Sequence, residues 1–167
     1  KDRAENIMIV DLIRNDMGRL TPAGGVRVER LCGIEAYPTV WQMSSRIVAE
    51  PIDADLASIF GALFPCGSIT GAPKIRAMEI IADLEKEPRG PYGGAVGYLS
   101  FDGNMDFCIC IRTAVAEHGR LTIRAGAGIV ADSDPDTELQ ETLNKAAAMS
   151  RALQLLQTAQ QAEAQAK

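Results

Sequence analysis

The sequence predicts an α+β chain in which antiparallel strands are flanked by helices. Three observations predict it. Apolar residues recur at intervals of three and four near the start, in the middle and at the end of the chain, the mark of helices with one buried side. Three late extended runs are separated only by the turn sequences Asp102-Gly103-Asn104 and Glu117-His118-Gly119. Strands and helices do not alternate one for one, as a parallel sheet with crossover helices requires.

Taken in order, Ile9, Ile13, Met17 and Leu20 predict a helix from Glu5 to Leu20, although the β-rich stretch Ile7 to Val10 is compatible with a strand. Gly24-Gly25 ends it, and Val26, Val28 and Leu31 alternate with charged residues as in a half-buried strand. A second extended stretch runs from about Thr39 to Ala49. Asp53 to Asp55 can cap a short helix through Leu63, which Pro65 and Gly67 stop. After a loop, Pro73 suits the first turn of a helix whose Ile75, Met78, Ile81 and Leu84 keep one face apolar. Strands are expected at Gly94 to Phe101, Met105 to Val115 and Leu121 to Ile129, forming an antiparallel meander. Ser133 or Asp134 as N-cap and Pro135 in the first turn then launch a long helix. Leu139, Leu143, Met149, Leu153 and Leu156 mark its expected buried side, and Gln157 to Lys167 is a polar tail expected to fray.

Composition narrows the function classes. The 167 residues suffice for a domain with a sizeable core, and 47% hydrophobic against 23% charged residues excludes disorder. A formal charge of −5 argues against a nonspecific nucleic-acid surface and suits a bound divalent cation. No apolar run approaches the length of a membrane span, so a soluble, cytoplasmic protein is expected. The chain opens at Lys1-Asp2-Arg3-Ala4-Glu5 without an initiator methionine or a signal peptide, and reads as a piece of a longer polypeptide. Cys32, Cys66, Cys108 and Cys110 lack the spacing of a disulfide scaffold or a zinc site and read as reduced core thiols, with Cys108 and Cys110 on one strand face.

Several constellations can carry chemistry. Glu138, Glu141 and Lys145 lie three and four residues apart, hence on one helical stripe away from most of the leucines. The stripe is either a cation-and-anion site or a solvated face with an i,i+4 ion pair. Asp2 and Glu5 form a second acidic pair at i,i+3, and two such pairs would suit Mg²⁺ if the fold brought them together. Gly67-Ser68-Ile69-Thr70-Gly71-Ala72-Pro73-Lys74 is rich in glycine and hydroxyls and opens a helix, so it can receive an anion or serve as a structural turn; its spacing is not that of a Walker P-loop. Gly126-Ala127-Gly128-Ile129-Val130-Ala131 matches a dinucleotide fingerprint letter by letter, but no helix opens directly after it, so close backbone approach to a ligand is the better use of its glycines. Arg112 interrupts an apolar strand and requires an anion, a salt bridge or solvent. His118, in a turn, has no catalytic partner motif.

Taken together, Lys1 to Glu5, Gly67 to Lys74, Gly90-Pro91-Tyr92-Gly93-Gly94, Ile111-Arg112-Thr113, Ala125 to Ser133 and Glu141 to Lys145 closely resemble the chorismate-binding family, across nearly the whole chain. That family includes anthranilate, aminodeoxychorismate, isochorismate and salicylate synthases. The resemblance implies that residues 1–167 are the C-terminal portion of a complex α+β catalytic domain whose N-terminal half is missing. It implies Mg²⁺ held by Glu5 and Glu141, with Asp2 and Glu138 one turn away in support. It assigns chorismate contacts to Ser68, Tyr92, Arg112, Gly126, Gly128 and Lys145, and ammonia delivery to a glutamine amidotransferase partner.

Within the family, Lys1 to Asp16, Tyr37 to Met43 and Phe64 to Thr70 look like aminodeoxychorismate synthases, while Ala125 to Gly128 and the Asn144-Lys145 region lean toward anthranilate synthases. Gln42 stands where anthranilate synthases carry a histidine associated with proton transfer. A neutral amide cannot serve as a general acid near neutral pH, so Gln42 fits an enzyme that retains the pyruvyl group. The expected reaction is therefore amination of chorismate toward para-aminobenzoate and folate. In such enzymes a lysine just upstream of Lys1 can serve as covalent nucleophile, and without it this stretch alone would be inactive. Alternatives are anthranilate synthesis for tryptophan, and a non-catalytic module that binds chorismate or the amidotransferase.

Overall fold

A computed structural model describes residues 1–38 and 40–165, and the chain forms two compact units that meet in sequence between Ile109 and Cys110.

The first unit opens with α1 (Asp2–Gly18), one turn earlier than the apolar spacing implies. Asp2 and Glu5 fall in its first turn, where carboxylates complement the helix dipole. It packs on an antiparallel hairpin of β1 (Val26–Ala36) and β2 (Trp41–Ala49), burying Val10 and Leu12. The ladder is irregular between Val28 and Gly33, and Cys32 takes a positive φ of 51° there, so the alternation read at Val26 and Val28 breaks down. Thr39, where the second extended stretch was expected to start, lies outside the described residues, and β2 begins at Trp41.

Asp55 caps α2 (Leu56–Leu63), its Oδ1 accepting from Ser58 N at 2.7 Å. A 3₁₀ turn at Gly67–Ile69 interrupts the expected loop, and α3 (Lys74–Leu84) follows. Pro73 is the N-cap of α3 and not its first helical residue, because its ψ of 138° is extended. The expected apolar face of α3 is present but uncovered, with Ile75 and Leu84 about three-quarters exposed. β3 (Ala95–Leu99) and β4 (Met105–Ile109) close the unit as a hairpin. Phe107 of β4 meets Phe60 of α2 edge-on, with ring centroids 5.0 Å apart.

The expected three-stranded meander does not form. The run from Met105 to Val115 breaks after Ile109, Arg112 adopts a φ of 54°, and the second unit makes its own hairpin from β5 (Ala114–Glu117) and β6 (Arg120–Ile123). A left-handed residue cannot continue a ladder, so one predicted strand becomes parts of two hairpins. Residues 124–130 continue without regular structure, so the strand expected as far as Ile129 ends at Ile123.

α4 (Pro135–Gln165) then starts at a cap made by Asp134, whose Oδ1 accepts from Thr137 N at 3.0 Å. The expected buried side of this helix is covered only in part, at half-buried Met149 and Leu153. Leu139, Leu143 and Leu156 are more than half exposed, whereas Glu138 is 5% exposed. The helix also stays regular to Gln165, past the expected fraying point at Gln157, in keeping with its Ala and Gln content; Ala166 and Lys167 lie outside the described residues. All four cysteines are free, but only Cys110 is buried; Cys108 is exposed, so it is not a core thiol. Among the described residues no single helix is long and apolar enough to cross a membrane; Leu56–Ile69 and Lys74–Leu84 reach that length and composition only together, across a 61° bend.

Candidate functional site

In the second unit, the interior stripe of α4 and the residues before β5 form an open groove of about 570 Å³ lined by Arg112, Glu141, Asn144, Lys145, Ala148, Met149 and Ala152. Glu141 and Lys145, one helical turn apart, make an ion pair of 2.5 Å. Lys145 Nζ also donates to the Gly126 carbonyl at 3.1 Å, which fixes the extended glycine segment against the helix. The stripe is therefore no solvated face: Glu138 is buried and Glu141 and Lys145 are half-buried.

Arg112 reaches this groove from a strained position. A non-glycine residue at positive φ costs about 1–2 kcal/mol, and such outliers gather where function requires them. Among the described residues Arg112 has no carboxylate partner, so its guanidinium lines the groove without an internal salt bridge. Arg112 and Lys145, the latter paired with the Glu141 carboxylate, thus line a groove whose other wall is Ala148, Met149 and Ala152, a lining suited to a charged ligand with apolar parts. Gly126 and Gly128 lie half-buried in the segment that Lys145 holds, which brings three of the expected contacts, Arg112, Gly126 and Lys145, into one neighbourhood.

In the first unit, Ser68 sits exposed in the 3₁₀ turn, and Tyr92 sits half-buried in the turn before β3. Arg89 joins these two turns. Its Nη1 donates to the Ile69 carbonyl at 2.6 Å and its guanidinium lies 5.8 Å from the Tyr92 ring centroid, while Nε and Nη2 grip Glu85 at 2.9 and 2.6 Å. Gly93, at a φ of 82°, lets the Tyr92 turn press on Ile69: a Cβ there would stand 2.4 Å from Ile69 Cγ2. The first turn of α1 is held separately, by Asn6. Its Oδ1 accepts from Ser45 Oγ at 2.5 Å and from Cys32 Sγ at 3.4 Å, which ties the residue beside Glu5 to the irregular part of the hairpin.

The chemistry of magnesium fits these donors in kind. Asp2 with Glu5 in the first turn of α1, and Glu138 with Glu141 three residues apart on α4, are paired carboxylates, and Mg²⁺ is commonly held by one or two carboxylates with substrate oxygens and water completing its shell. Among the described residues no three His, Cys, Asp or Glu side chains gather into a metal cluster. Gln42 is exposed on β2.

Sequence reasoning passed over Arg89, Asn6 and Asp16. Asp16 is 5% exposed and its Oδ2 lies 2.5 Å from Lys74 Nζ. The signal for that pair was a carboxylate on the interior face of α1, recognisable only once Leu12 is known to be buried beside it.

Residues 1–151 match the family described as chorismate binding enzyme. The chain is 49% identical over 162 residues to anthranilate synthase component 1 of Aquifex aeolicus, covering 96% of this chain and 33% of that protein. It is 53% identical over 146 residues to aminodeoxychorismate synthase component 1 of Escherichia coli, covering 87% of this chain and 32% of that one. The crystal structure of anthranilate synthase component I from Streptococcus pneumoniae superposes with a TM-score of 0.78 at 44% identity, over 87% of this chain and 34% of that chain. The chain thus spans about a third of the length of these relatives.

Proposed function

The chain belongs to the chorismate-binding enzyme family, and from that premise we propose that it is the chorismate-holding part of an aminodeoxychorismate synthase. The observation that carries the proposal is the groove in which Arg112 and Lys145 face apolar residues of α4, since chorismate is a dicarboxylate on an apolar ring. In this reading Arg112 and Lys145 hold carboxylate and enolpyruvyl oxygens, and peptide dipoles at Gly126 and Gly128 assist. Ser68 and Tyr92, which Arg89 holds in register, contribute further polar contacts. Magnesium, when bound, neutralises the ring carboxylate and favours loss of the 4-hydroxyl. The carboxylates offered for it are Glu141 with Glu138 on α4 and Glu5 with Asp2 on α1. Ammonia, supplied by a glutamine amidotransferase partner in the cytoplasm, then replaces the hydroxyl.

The choice of product rests on Gln42. Its amide carries no titratable proton, so it supports retention of the pyruvyl group. Anthranilate synthesis is the second reading, favoured by 49% identity to the Aquifex enzyme across nearly the whole chain.

The test uses the polypeptide carrying this chain at its natural length, supplied with chorismate, Mg²⁺ and ammonium, with products identified by mass. Aminodeoxychorismate that retains its pyruvyl group, and is lost in Glu141→Gln, is the expected result. Anthranilate with free pyruvate would establish the second reading. Absence of turnover with intact chorismate binding would reduce the chain to a binding module.

A further inference from the structure

We infer that the Asp16–Lys74 ion pair positions the turn that carries Ser68, an inference that rests on Ser68 being a substrate-facing residue. Lys74 Nζ lies 2.5 Å from Asp16 Oδ2, and the two side chains are only 16% and 7% exposed. An ion pair so withdrawn from water is a poor source of stability, because desolvation cancels most of the attraction. Asp16 is also placed against the helix dipole, in the last turns of α1 where a carboxylate is disfavoured. Neither fact suits a group kept for the helix itself.

The pair does have a geometric consequence. Lys74 is the first residue of α3, and the segment between it and the Gly67–Ile69 turn is short, so anchoring Lys74 to α1 closes that segment from behind. From the front, Leu12 presses on Gly67 so closely that a Cβ there would stand 2.5 Å from Leu12 Cδ2. Arg89 holds the Ile69 carbonyl at 2.6 Å, and Thr70 Oγ1 donates to the carbonyls of Cys66 and Gly67 at 3.1 and 3.3 Å. Ser68 is thereby left exposed between two clamped neighbours. Leu12 and Asp16 share their helical face with Glu5, at separations of seven and eleven residues, so the same contact sets the turn relative to the side of α1 that carries Glu5. Asp16 and Lys74 are positioning residues acting through the backbone at Gly67 and Ile69.

The experiment compares Asp16→Asn, Lys74→Arg and the double variant Asp16→Leu/Lys74→Met, in the natural-length protein. Two readouts are taken: chorismate turnover, and alkylation of individual cysteines by iodoacetamide followed by peptide mapping. Cys66 adjoins the turn and reports its opening; buried Cys110 serves as the reference for global unfolding. Removing both charges together avoids stranding either, so the double variant keeps its melting temperature. It is expected to label several-fold faster at Cys66 and unchanged at Cys110. Its kcat should fall about 100-fold with KM little altered, the cost of a small misplacement, and Lys74→Arg should recover most of the loss. Unchanged Cys66 labelling overturns the inference, and so does a parallel rise at Cys66 and Cys110. If the parent turns over no chorismate, the reading of Ser68 fails, and the labelling pattern still decides whether the pair holds the turn.

Discussion

At the scale of single residues, Arg112 is where strain and chemistry coincide. Its φ of 54° would suit glycine better, yet a guanidinium stands at the lip of the groove. Relief of the left-handed strain and the entropy glycine adds to the unfolded chain nearly offset each other. Arg112→Gly should therefore shift unfolding by no more than about 0.5 kcal/mol while abolishing measurable chorismate affinity. Denaturant melts and calorimetric titration on the same sample check both halves, and a large loss of stability would mean that Arg112 is structural. Lys145 makes the opposite case, since it bonds Glu141 and the Gly126 carbonyl at once. In the proposed site Lys145→Met removes a charge-assisted hydrogen bond to the ligand worth roughly 1.5–3 kcal/mol, so chorismate should bind about ten- to a hundredfold more weakly. Arg112 was legible in the sequence because a cation in an apolar run is conspicuous, and Lys145 because it lies one helical turn from Glu141; Asp16, among many surface acids, was not.

At the scale of elements, the carboxylates of Asp55 and Asp134 cap α2 and α4. The hydrogen bonds from Ser58 and Thr137 hold both below their ordinary 3.8. A depressed carboxyl contributes stability that is present above its unfolded value and lost as pH falls through the lower folded one. Helical circular dichroism should therefore decline below roughly pH 4, and Asp55→Asn with Asp134→Asn should flatten that decline. Glycine at position 97 has a steric role: a Cβ there would lie 2.0 Å from the Asp106 carbonyl oxygen across the β3–β4 hairpin. Gly97→Ala should cost about 1–3 kcal/mol in a denaturant melt, as overpacking does. Helices, caps and hairpin turns were legible because each has a local chemical cause. The break of the predicted middle strand at Arg112 was not, because nothing in an arginine announces a left-handed backbone. The inward face of α4 was misread because leucine periodicity identifies an apolar side and not what covers it; within this chain the covered side is the one that bears Glu138.

At the scale of the whole molecule, the family was legible from several ordered motifs, whereas the sequence could not say which faces the rest of a longer relative would cover. Among the described residues only Val10, Leu12, Ala49, Ala62 and Cys110 are buried apolar residues. In the first unit Trp41 is 77% exposed and Ile75 76%, and in the second Ile129 is 69% exposed and Leu155 65%. So many exposed large apolar side chains against so few buried ones point to faces that further chain covers, and relatives of the family are about three times as long. The 167 residues produced alone should therefore bind a hydrophobic dye and sediment faster than a 17.9 kDa monomer, while a polypeptide that carries them at the length of the relatives should bind no dye and sediment as expected for its own mass. Polar replacements at Trp41 in the first unit and Leu155 in the second should each lower the dye signal without altering helix content, which locates the surfaces separately. A monomeric boundary with no dye binding for the 167-residue chain would contradict this, because it would require both units to satisfy their apolar faces from within.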